Sequence, residues 1–145
     1  MADIIETAFR AGSLVTFLTS LRAAGMTDIL HEAGPFTLFA PSDDAFEKLP
    51  LGMLENIIDS PELLREVLHY HIVPGRLTTE MIQDEQTVIV KSLQGEPIVI
   101  DLTVFGRTYV NEARIIRADL IADNGVVHVI DTVIMPETLR GRRAA

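Results

Sequence analysis

Ile115-Ile116-Arg117-Ala118-Asp119-Leu120-Ile121-Ala122, then Asp123-Asn124-Gly125, then Val126-Val127-His128-Val129-Ile130-Asp131-Thr132-Val133-Ile134 is the stretch that decides the fold. Its two arms are rich in β-branched residues and are the longest candidate strands in the chain. The Asp-Asn-Gly between them offers the positive φ angles that a tight hairpin turn uses. Shorter β-rich runs precede it at Thr87 to Val90, Ile98 to Ile100, Thr103 to Phe105 and Tyr109-Val110, each bounded by turn residues. Nothing helical is interleaved with these runs. Helical signals are gathered instead in the first half, and that order argues for an α+β fold rather than a parallel α/β sheet.

In that first half, Asp3 is placed to cap a helix whose apolar residues Ile4, Ile5, Ala8 and Phe9 follow helical spacing. Ser13 is placed to cap a second, with Leu14, Phe17, Leu18 and Leu21 on one face and Gly25 as a left-handed stop. A short helix from Thr27 to Leu30 follows. Gly34-Pro35 breaks the chain, Phe36 to Ala40 reads as a buried strand, and Pro41 ends it. Ser42 then caps a helical turn, and Ser60-Pro61-Glu62 opens a helix carrying Leu63, Leu64, Val67 and Leu68 up to Pro74-Gly75.

The chain has 145 residues, 48% of them hydrophobic, with no Trp and no Cys. That length suits one domain and buries roughly 70% of the unfolded surface; residues 1–137 are expected to form it, with 138–145 a disordered basic tail. Without cysteine there is no disulfide, thiol nucleophile or Cys-based zinc site. The net charge of −9, with no basic cluster, argues against nucleic-acid binding. The start, Met1 to Glu6, lacks the basic and apolar regions of a signal peptide, and no apolar run is long enough to span a bilayer.

Asp43 and Asp44 are the most obvious carboxylate pair. Adjacent helical residues point about 100° apart, so the two cannot work as one acid/base dyad. Negative charge at a helix N-terminus explains them. His69-Tyr70-His71 has a spacing that suits metal ligation on a strand but diverges at a helix end. His31 and His128 add no recognisable ligand spacing. His128, between two valines, reads as a hydrogen-bonded core histidine, and His71 as mostly buried and hydrogen-bonded. There is no Gly-x-Ser-x-Gly elbow and no glycine-rich phosphate loop. Neither a catalytic residue, nor a metal, nor a cofactor is expected.

Three segments in order resemble the fasciclin domain family. Phe36-Thr37-Leu38-Phe39-Ala40-Pro41-Ser42-Asp43-Asp44-Ala45-Phe46 is similar to its first signature block. Leu68-His69-Tyr70-His71-Ile72-Val73-Pro74-Gly75 resembles its Tyr-His motif, and Asn124 to Asp131 its second signature block. The resemblance covers roughly residues 3 to 136. It implies a wedge or sandwich of two β-sheets with helices packed around it, in a non-enzymatic module of cell adhesion and extracellular matrix. The implied partner is a protein (an integrin-like receptor or surface protein) or a glycan, bound by a monomer without membrane insertion. The implied location is extracellular, cell-surface or periplasmic, although the start of this chain departs from the secreted pattern. Two other functions compete, a small-molecule or lipid carrier with an apolar cleft and a hydrolase built on scattered His and Asp.

In adhesive members an Asp-Ile pair just before the second block is implicated in integrin recognition. Counting back from Asn124, those positions fall on Asp119 and Leu120. Here Leu replaces Ile, and Arg117-Ala118 replaces an acidic residue and proline found in some animal members. Strand alternation puts neighbours on opposite faces, which favours a buried Leu120 beside an exposed Asp119. Presenting both would require a bulge.

Overall fold

The computed structural model describes residues 3–31, 34–49, 52–78, 87–102, 108–111 and 113–135. The elements run α1 (Ile4–Ala11), α2 (Val15–Ala23), α3 (Thr27–His31), β1 (Phe36–Pro41), α4 (Asp43–Glu47), α5 (Met53–Asp59), α6 (Pro61–Tyr70), β2 (Ile72–Pro74), β3 (Thr87–Lys91), β4 (Pro97–Leu102), β5 (Thr108–Val110), β6 (Ala113–Ala122) and β7 (Gly125–Ile130). The expected strand at Thr103 to Phe105 and the expected tail at 138–145 lie outside the described residues.

Local chemistry explains most of the helix boundaries. The Asp3 carboxylate accepts the Glu6 N–H and also bonds His31 Nδ1, so one side chain caps α1 and holds α3 beside it. The helix α2 ends in a Schellman motif: Met26 N–H donates to the Leu21 carbonyl and Gly25 N–H to the Arg22 carbonyl, with Gly25 at φ 71°. Ser42 caps α4 and Ser60 caps α6, as their positions in the sequence imply. Ser13 does not cap α2. The N-cap position is Leu14, and the Asp43 carboxylate reaches across from α4 to accept the Thr16 N–H at 2.8 Å. The short helix α5 has no side-chain cap and no start signal in the sequence.

The strands follow one hydrogen-bonded order, β2-β1-β7-β6-β5-β4-β3. β6 belongs to both halves. Its start pairs with β5 and the rest with β7, so the sheet folds there into the two leaves of a wedge. The far edges also meet, because Leu93 N–H just after β3 donates to the Ile72 carbonyl of β2 at 2.8 Å. The result is a near-barrel with helices packed around it. One pairing differs from the rest: β1 and β7 run parallel over their full length, Phe36 beside Gly125 to Pro41 beside Ile130. Pro41 therefore closes β1 from inside the strand.

Every residue of β7 is buried, as are Thr37 to Pro41 of β1, because both faces of this central pair are covered. Leu38, Ala40, Val127 and Val129 face a core built with Ile4, Leu14, Phe17, Leu21 and Leu68 from the helices. Phe39 and Ile130 face a second core with Ile98, Ile100 and Val110 from the other leaf. An aliphatic core of this size, at about 25 cal/mol per Å² of apolar area removed from water, is the main stabilising term.

The hairpin differs from its sequence reading. Asp123, Asn124 and Gly125 all avoid positive φ. Gly125 is demanded by closeness instead: an added Cβ would lie 1.9 Å from the Phe36 carbonyl oxygen and 2.6 Å from Ile4 Cδ1. Asn124 turns inward, where its Oδ1 accepts the Ile4 N–H and its Nδ2 donates to the Leu30 carbonyl. Arg76 donates to the carbonyls of Ala122, Asp123 and Gly125 and closes the turn from outside. β7 also ends at Ile130, earlier than the expected Ile134, although Val133 and Ile134 stay buried.

Candidate functional site

The site is built on β6. Its pairing with β7 slips twice, first between Ile115 and Arg117 and again between Arg117 and Leu120. Arg117 faces Val129 and Leu120 faces Val127, so Ala118 and Asp119 together stand opposite His128 alone. Two residues against one is a β-bulge, which bends the strand and re-aims side chains. Asp119 takes the left-handed conformation at φ 57°, which Asp tolerates better than most residues do.

His128 holds the bulge in place. It is fully buried, its Nε2–H donates to the Leu77 carbonyl at 2.7 Å, and its Nδ1 accepts the Asp119 N–H at 3.1 Å. Only the neutral ring can make both bonds, since a protonated one has no acceptor. Burial pushes His128 below its usual value, while the Leu77 bond and the Asp119 charge pull the other way. Phe39 stacks on the ring at 5.7 Å between centroids.

Alternation therefore fails where the bulge sits. Asp119 and Leu120 are both half-buried, rather than one exposed and one hidden, and Leu120 packs against the helical core. The bulge is bordered by exposed apolar side chains, Ile116 at 48% and Ile121 at 49% exposure. Arg117 bonds the Ala11 carbonyl and ties the strand to α1.

Of the other candidate residues, His71 and Asp43 are bonded to backbone groups. His71 is 1% exposed, with Nδ1–H donating to the Val67 carbonyl at 2.7 Å and Nε2 accepting the Ile134 N–H at 3.2 Å. Burial lowers its pKa to about 4, against the raising effect of the Val67 bond. Both buried histidines thus spend both nitrogens on backbone groups and none on a hydroxyl nucleophile. His69 and His71 do not converge, and among the described residues no three His, Asp or Glu side chains gather in one place. Asp43 caps α2, and Asp44 lies in the first turn of α4. Every buried polar side-chain atom among the described residues has a partner. No described helix is long and apolar enough to cross a membrane.

One surface was missed in the sequence. Phe9, read only as part of the helical apolar spacing of α1, is 76% exposed, and it borders an open groove between α1 and α2. Ala8 and Ile4 take the centre of the buried stripe, leaving Phe9 about 100° round the helix.

Residues 12–136 match the Fasciclin domain model. The chain is 40% identical over 135 residues to "Uncharacterized protein sll1735" of a Synechocystis species, covering 93% of this chain and 98% of that one. It is 31% identical over 143 residues to the cell surface glycolipoprotein MPB83 of Mycobacterium bovis, covering 92% of this chain and 61% of MPB83. The solved structure of a FAS1 domain pair from the insect cell adhesion molecule fasciclin I superposes with a TM-score of 0.77 at 18% identity, over 94% of this chain and 52% of that one. With the wedge of sheets, the surrounding helices and the two buried histidines of its signature segments in place, the chain belongs to the fasciclin domain family.

Proposed function

We propose that this domain is a non-enzymatic interaction module of an exported or cell-surface compartment, which binds a protein or glycan partner through the β6 bulge at Asp119 and Leu120. The observation that carries the reading is the bulge itself. It leaves an acidic side chain and its apolar neighbour both partly accessible on one strand, which regular alternation would forbid. Exposed Ile116 and Ile121 border it and supply the apolar area that a protein contact uses. The names of MPB83, a cell surface glycolipoprotein, and of fasciclin I, a cell adhesion molecule, support the compartment and the class of function.

The test is a surface-binding assay on envelope and host-cell extracts, comparing the native chain with Asp119→Asn. Asparagine tolerates the left-handed backbone as Asp does, so the substitution removes charge and leaves the bulge standing. Binding is expected to fall at least fivefold, about 1 kcal/mol, with an unchanged melting temperature. Equal binding by the two chains would remove the bulge as the contact.

A further inference from the structure

An open groove of about 380 Å³ runs between α1 and α2, lined chiefly by Phe9, Leu14, Val15, Leu18 and Arg22. Its size falls within the range of small-ligand sites. Phe9 and Val15 stand 76% and 64% exposed on its rim, the first and third most exposed of the large apolar side chains described. Two exposed apolar side chains on the rim of one groove give it an apolar wall that a ligand can reach.

Charge narrows the occupant. Arg65, Arg76 and Arg117 each donate to backbone carbonyls and hold elements together. The Arg22 side chain, at the groove, makes no hydrogen bond or ion pair among the described residues. The chain's own C-terminal segment, with Arg140, Arg142 and Arg143, would bring like charge to it. A second copy docking by the same face would bring another Arg22 into a small contact. The complementary shape is one apolar chain ending in one anion, whose carboxylate a guanidinium grips in a bidentate, charge-assisted pair.

We propose that the α1–α2 groove binds a single-chain amphiphile with a carboxylate head, its hydrocarbon against Phe9, Val15 and Leu18 and its carboxylate on Arg22. This site is separate from the bulge and does not rest on the surface-interaction reading. The chain has no Trp to report binding, so the test is amide NMR of the full chain with sodium laurate below its micelle concentration, and with dodecanol as the neutral match. Saturable shifts are expected for residues 9 to 22. Arg22→Gln should weaken laurate about fivefold and leave dodecanol unchanged, the size of one solvent-accessible ion pair. Phe9→Ser should weaken both ligands, and both variants should melt with the native chain because the side chains are exposed. Shifts that do not saturate, or an Arg22→Gln chain that binds laurate as the native one does, would overturn the proposal. So would anionic vesicles that shift the groove residues while laurate does not, since the surface would then be a membrane contact.

Discussion

At the scale of single residues, the two buried histidines show how a signature motif becomes structure. His71 joins the end of α6 to the segment after β7, because one ring nitrogen serves Val67 and the other Ile134. His71→Ala leaves a carbonyl and an amide buried without partners. Unfolding in urea should show a loss of about 1–3 kcal/mol, and a neutral substitution would mean that water fills the space. Gly125 is the second sensitive position. Gly125→Ala puts a methyl group into the Phe36 carbonyl, and β1 and β7 must separate to admit it. A loss of about 3 kcal/mol or more is expected, at the upper end for overpacking. A thermal melt within a few degrees of the native chain would show that the parallel pair is looser than the structure has it.

At the scale of elements, the instructive cases are those in which a helix or strand is completed by a partner far away in the chain. α2 has no cap of its own, and Asp43 supplies one from α4 across 27 positions of sequence. Asp43→Ala should therefore cost about 1 kcal/mol, the usual loss for a cap, even though it leaves the Ser42 cap of α4 intact. Asp44→Ala, one position on, should stay within about 0.5 kcal/mol. Equal effects in denaturant melts would return Asp43 to a simple role in its own helix. β6 is completed in the same manner, since its bulge depends on His128, which in turn depends on Leu77.

For the whole molecule, the two histidines link stability to pH. His71 has its pKa lowered to about 4 in the folded chain, against 6.5 unperturbed, and His128 is lowered as well. Between those values the unfolded chain takes up a proton that the folded chain refuses. The stabilisation is thus complete above pH 6.5 and is lost as pH falls, by about 3 kcal/mol for His71 at pH 4. Urea melts from pH 7.5 to 4.5 should show this decline, and a His71→Gln chain should show a shallower one, which separates the imidazole from the carboxylates. A flat profile for the native chain would mean that the ring is reached by water.

Much of this protein was legible without a structure. Helices before strands, the Asp3, Ser42 and Ser60 caps, the Gly25 stop and the burial of His71 and His128 all depend on neighbours a few residues away or on local apolar pattern, and the three signature segments named the wedge. Asp119 and Leu120 could be singled out by their place before the second block, but their half-buried presentation could not. That presentation, the parallel β1–β7 pair, the cap that Asp43 lends to α2, the closeness that reserves position 125 for glycine and the exposure of Phe9 were decided by tertiary structure. Each depends on contact between segments tens of residues apart, and such contact overrides strand alternation, turn propensity and helical periodicity because those local preferences are worth only about 1 kcal/mol or less apiece.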